Sequence, residues 1–154
     1  MGGYGGAIKQ LSIGCASTAG KCWIHSAGTN LDQKKLFDNF AEQDKFLEAM
    51  AESASSVIDY FKGNIAYINV MCNMSVSCDC SATAEAPCMS DIGILSSLDP
   101  VALDQACLDL VYKSKDVGRD KLVERIESRH GIHTIISSAK LGLGNREYEL
   151  IEIK

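Results

Sequence analysis

The sequence predicts an α/β fold, a single domain over residues 1–154 with a mainly parallel sheet flanked by helices. Three observations predict it. Residues 65–70 and 92–95 are short, near-continuously apolar runs, the pattern of strands covered on both faces. Several longer segments carry apolar residues at three-, four- and seven-residue steps, the spacing of one helix face. Strand-like and helix-like segments alternate along the chain, an order that suits a layered structure.

The chain opens on Gly2, Gly3, Gly5 and Gly6 around Tyr4, followed by the apolar stretch 7–13. Residues 15–30 are rich in Gly, Ser, Thr and Cys and read as an irregular loop. Residues 31–61 read as helix, with Leu36, Phe40, Leu47, Met50, Ala54, Val57 and Phe61 on one face. Ser53, Ser55 and Ser56 are weak helix formers and divide it into two pieces in one reading. Gly63-Asn64 ends it. After the strand at 65–70 comes a cysteine-rich loop over 72–90, then the strand at 92–95.

Asp99-Pro100 starts the next helix. Asp accepts hydrogen bonds from first-turn amides, and Pro suits the first helical position. Leu103, Ala106, Leu110 and Val111 form its apolar face. Leu122, Val123 and Ile126 mark a helix closed by Gly131, and Ile132, Ile135, Ile136 and Ala139 mark another closed by Gly142 or Gly144. Residues 147–153 read as a final strand whose alternation slips at Ile151.

With 15 basic against 20 acidic residues the net charge is −5, so nonspecific attraction to nucleic acid or to an anionic membrane is not expected. The basic residues of 119–129 are interleaved with Asp120, Glu124 and Glu127 and read as a solvated face. No stretch approaches the ~20 apolar residues that span a bilayer, and no signal peptide is visible, so the expected location is the cytoplasm. Seven cysteines, an odd number in a reducing compartment, argue against a disulfide scaffold.

The thiols carry the strongest chemical signal. Cys78 and Cys80 form a Cys-x-Cys pair, whose side chains point the same way in an extended loop. Thiolates suit zinc, copper(I) or an iron–sulfur cluster. The competing reading is buried, unligated thiols, which weighs more for Cys72. Cys15 and Cys22-x-x-His25 form a second candidate clasp, which gains force only if its loop meets the first. Cys107 falls on an apolar helix face and reads as core. The glycines at 2–6 can cradle an anion with backbone amides, but they match neither nucleotide fingerprint, and a flexible turn is the stronger reading. Asp91 and His25 are the acid/base candidates under such a reading. Asp104 suits the positive end of its own helix, and His130 the negative end of the preceding one.

Gly5-Gly6-Ala7-Ile8-Lys9, Gly14-Cys15-Ala16-Ser17, Gly20-Lys21 and His25-Ser26 resemble the central motif of the uncharacterised iron–sulfur centre proteins, domain of unknown function family 362. Cys78-Asp79-Cys80, residues 91–95, residues 99–104 and the closing Gly142-Leu143-Gly144 with Tyr148-Glu149-Leu150 are similar to further family segments. The resemblance implies the C-terminal half of that family, without its N-terminal half and without the ferredoxin-like insert. It implies metal ligation by Cys78, Cys80, Cys15 and His25, with an iron–sulfur cluster or a single thiolate-bound metal such as zinc as the cofactor. Two further expectations accompany it. One is an enzyme binding a small anionic ligand at the glycine-rich start. The other is an interaction module, a homo-oligomer or a half completed by a complementary chain.

Overall fold

The computed structural model describes residues 2–35, 38–77 and 85–153. In chain order these form α1 (Ala7–Lys9), which runs on into a π-helical turn (Gln10–Gly14), then α2 (Thr18–His25), a 3-10 turn (Gln33–Lys35) and α3 (Gln43–Phe61). Strands β1 (Tyr67–Met71) and β2 (Gly93–Ser97) follow, then α4 (Pro100–Lys113), α5 (Arg119–Ser128) and α6 (Ile132–Lys140).

The expected mainly parallel sheet is corrected. β1 and β2 pair antiparallel, with Tyr67 opposite Ser97 and Met71 opposite Gly93, and form a two-stranded sheet among the described residues. One face lies on α4. Tyr67 and Met71 are buried there, whereas Ile68, Val70 and Ile94 are each at least 60% exposed on the other face. The apolar runs reflect β-propensity on both faces, not burial on both. Residues 147–153 are extended but join no strand among the described residues. Tyr148 ties this segment to α4, its hydroxyl donating to Asp109 Oδ2 at 2.8 Å.

Helix boundaries moved for local reasons. Residues 15–30 hold α2, whose first turn is capped by Ser17 Oγ accepting from the Gly20 amide at 3.1 Å. The long helix starts at Gln43, not Leu31, and runs unbroken through its serines, because Ser55 and Ser56 turn their hydroxyls back onto the carbonyls of Glu52 and Ser53. It ends on Lys62 and Gly63, both left-handed, as the Gly63-Asn64 signal implies.

α4 is the axis of the molecule, in contact with α1, both strands, α5 and α6, while α3 packs on α6 and on the π-helical turn. Ile8, Val101, Leu103, Leu108 and Ile135 sit in the main core, and Leu47, Met50, Phe46 and Ile24 form a second cluster under α3. No helix among the described residues is long and apolar enough to cross a membrane.

Asp99 caps α4 as the sequence predicts, with Oδ1 accepting from the amides of Val101 and Ala102, both at 2.9 Å. Its other oxygen accepts from the Asn145 amide at 2.8 Å. Asp99→Ala should lower stability by ~1 kcal/mol or somewhat more, read as a shifted urea midpoint at constant slope. An unchanged midpoint would remove this role.

His130 follows the end of α5, as expected, but its ring and that of His133 make further contacts. Their rings reach across to α3, Nδ1 of His130 at 2.7 Å from Asp44 Oδ1 and Nε2 of His133 at 3.2 Å from Glu48 Oε1. The hydrogen bond from His130 holds Asp44 below the usual carboxylate range, and Lys45 followed by His133 does the same for Glu48. Depressed carboxylates stabilise the fold at neutral pH and lose that contribution as pH falls through their folded-state values. The thermal midpoint should therefore drop on acidification below about pH 4. The drop should be shallower in the Asp44→Asn, Glu48→Gln double variant, and equal slopes in both proteins would count against the two contacts.

Candidate anion-binding pocket

A buried carboxylate organises the site. Asp104, on α4, is fully buried, and four donors converge on it. Oδ1 accepts from the Ala7 amide and from Asn69 Nδ2, both at 2.8 Å, and Oδ2 from the Ile8 amide at 3.0 Å and the Tyr4 hydroxyl at 3.2 Å. Burial pushes the Asp104 carboxyl up, and the four donors oppose that shift without cancelling it. Asp104 thus serves the first turn of α1, not the dipole of its own helix. A Cβ on Gly6 would lie 2.5 Å from Asp104 Oδ1, so only glycine lets the backbone come this close.

The same turn continues back over α5. Gly3 is buried against the α5–α6 junction, where a Cβ on it would lie 2.7 Å from the Gly131 Cα. The glycine-rich start is therefore held by close packing at Gly3 and Gly6, although Gly5 is exposed with open space around it. This packing sets it beside a cavity of about 720 Å³, within the usual range for small-molecule sites. Gly2, Gly3, Gly5 and Lys9 line it, as do Arg125 and Arg129. The two arginines are four residues apart and so share a face of α5 and its C-terminal cap. Neither guanidinium is in an ion pair among the described residues, and no described lining residue is a carboxylate. Asp104 lies behind the wall with its acceptor sites filled. Cys72 and Cys107 also line the cavity. Burial pushes the Cys107 thiol up to about 11, so it stays protonated at neutral pH, with Asn69 Nδ2 3.4 Å from its sulfur.

A family model described as "Domain of unknown function (DUF362)" matches residues 1–109. The chain belongs to the DUF362 family. No curated protein and no solved structure matches it. In this DUF362 chain the matched segment holds the glycine-rich turn, Lys9, Asn69 and Asp104, whereas Arg125 and Arg129 lie beyond it.

The residues expected to ligate a metal fall in different places. Cys78 and Cys80 lie outside the described residues. Cys15 is exposed after the π-helical turn, and Cys22 is buried in α2. His25 donates from Nδ1 to the Lys21 carbonyl at 2.6 Å and stacks on Phe46 with ring centres 5.0 Å apart. Burial lowers its pKa, which keeps the ring neutral. No group of three potential ligands forms among the described residues. Asp91 accepts from the Asn73 amide at 2.7 Å, and neither it nor His25 lines the cavity. The sequence reading passed over Arg125 and Arg129. The signal for them was basic residues at i and i+4 next to apolar Leu122 and Ile126.

Asp104→Ala should cost at least ~3 kcal/mol, because it strands two buried backbone amides that now bond to a charge. Asp104→Asn should cost less but remain destabilising, since an amide offers one acceptor oxygen to four donors. Denaturant midpoints of the two variants check this, and the reverse order would contradict it.

Proposed function

We propose that this chain binds a small anionic ligand in the cavity over its glycine-rich turn. One observation carries the reading: Arg125 and Arg129, without ion-pair partners among the described residues, share with Lys9 and the Gly2–Gly5 backbone a cavity that no described carboxylate lines. Guanidinium groups match phosphate and carboxylate geometry through paired N–H donors. Lining backbone from a glycine-rich turn can bring amides close to an anion. The overall charge of −5 makes this basic pocket a local feature of an acidic protein.

Calorimetric titration with inorganic phosphate, pyrophosphate and citrate tests it. At least one should bind at low ionic strength and weaken as salt is added. Arg125→Ala and Arg129→Ala should each reduce affinity about tenfold, in line with a charge-assisted hydrogen bond of ~1.5 kcal/mol. Absence of binding by all three, or equal binding in both variants, would refute the reading.

Metal ligation by Cys78 and Cys80 is the second reading, with a single thiolate-bound ion or an iron–sulfur cluster as the cofactor. It is supported by where their loop starts and ends. Ser77, the residue before Cys78, lines the same cavity, as does Cys72. The loop's base is closed by the Cys88 amide donating to the Met74 carbonyl at 2.8 Å. Metal content per chain after anaerobic purification should fall in Cys78→Ser and stay unchanged in Cys107→Ser. Equal content in the two folded variants would exclude the pair as ligands.

A further inference from the structure

The anion-binding reading leaves most of the cavity unaccounted for. At ~30 Å³ per molecule in the liquid, about 720 Å³ holds roughly two dozen waters. An inorganic oxyanion of five heavy atoms fills only a small part of that space. The rest is bounded largely by apolar side chains: Met71, Met74, Leu108, Val111, Leu122 and Ile126 all line it. Leu122 and Ile126 stand one helical turn before Arg125 and Arg129 on α5, so the apolar wall and the cationic rim are parts of one helix. Ser75 and Ser77 add hydroxyls at the edge but no charge.

We infer that the ligand is a phosphate monoester of an apolar alcohol. Its head lies between the arginines and the glycine-rich turn, and its hydrocarbon or aromatic body lies along the methionine–leucine wall. This rests on the anion-binding reading and adds the chemical class to it. A phosphate monoester is dianionic near neutral pH and presents several acceptor oxygens, which suits two guanidiniums that share the cavity with lining backbone. The body lies against half-buried Met74 and Val76, alongside Met71, Leu108, Val111, Leu122 and Ile126, which are already buried in the core. Met71 and Met74 are unbranched and polarisable, and fit bodies of irregular shape.

The test is titration of the full chain with inorganic phosphate and with methyl, ethyl, butyl and hexyl phosphate, alongside the matching alcohols and alkanoates. Affinity should rise up to about fourfold per methylene, the gain expected for a fully buried CH₂. Met74→Gln and Val76→Asn change half-buried positions of the wall. Each should flatten that rise while leaving inorganic phosphate affinity within twofold, and Arg125→Ala should weaken every phosphate together. A flat series with phosphate still bound overturns this inference and leaves the anion reading standing. Binding by neither phosphate nor any ester overturns both. Alcohols binding as well as their esters would show apolar uptake without head recognition, and alkanoates binding more tightly than phosphates of equal length would replace phosphate by carboxylate. Either result overturns the assignment.

Discussion

The Asp104 carboxylate is the constraint on which the remaining structure depends. Removing a carboxylate from water costs several kcal/mol, and only well-placed donors offset that cost. Here they come from the opening turn, from α1 and from β1: Tyr4, the amides of Ala7 and Ile8, and Asn69. One side chain of α4 thereby holds a helix start on one side and a strand on the other. Each bond excludes some alternative. Gly6 cannot carry a side chain, α1 must begin at Ala7, and β1 must turn Asn69 inward between outward Ile68 and Val70. The register of β2 then follows from β1, and β1 contributes Asn69, Val70 and Met71 to the pocket lining.

Much of the secondary structure was legible where local chemistry decided it. Asp99-Pro100 named the start of α4, and Gly63 and Gly142 sit at left-handed helix ends as their positions implied. The sheet was misread because alternation was hidden. Both faces of β1 carry β-formers, so Ile68 and Val70 read as buried although water covers them. Residues 31–42 satisfied the helical spacing through Phe40, which instead meets the His25 ring at 5.5 Å. α2 was missed because glycine and threonine conceal a helix whose entry depends on one serine cap.

The site was legible in fragments. The glycine cluster was read first as a flexible turn and second as an amide cradle, while Arg125 and Arg129 lie more than a hundred residues away, where the interleaved acids of α5 made them read as a solvated face. Asp104 already had a sufficient local explanation, and its real partners lie 35 to 100 residues distant. Cys15 and His25 looked like a ligand pair by spacing. In three dimensions the histidine spends one nitrogen on a carbonyl and one face on Phe46, so its ring orientation is already determined by packing.

The contact between Gly3 and Gly131 bears on how this pocket can be altered. Main chain meets main chain there with no side chain between them, so the opening turn sits on the α5–α6 junction without an adjustable spacer. A methyl on Gly3 would lie 2.7 Å from the Gly131 Cα and push the opening turn off the α5–α6 junction, whereas one on Gly131 finds its nearest neighbours at 3.2 Å and needs only a small adjustment. On the proposed reading, ligand preference is therefore adjusted at the lining, by exchanging Met74, Val76 or an arginine, beside a contact at which Gly3 admits no side chain.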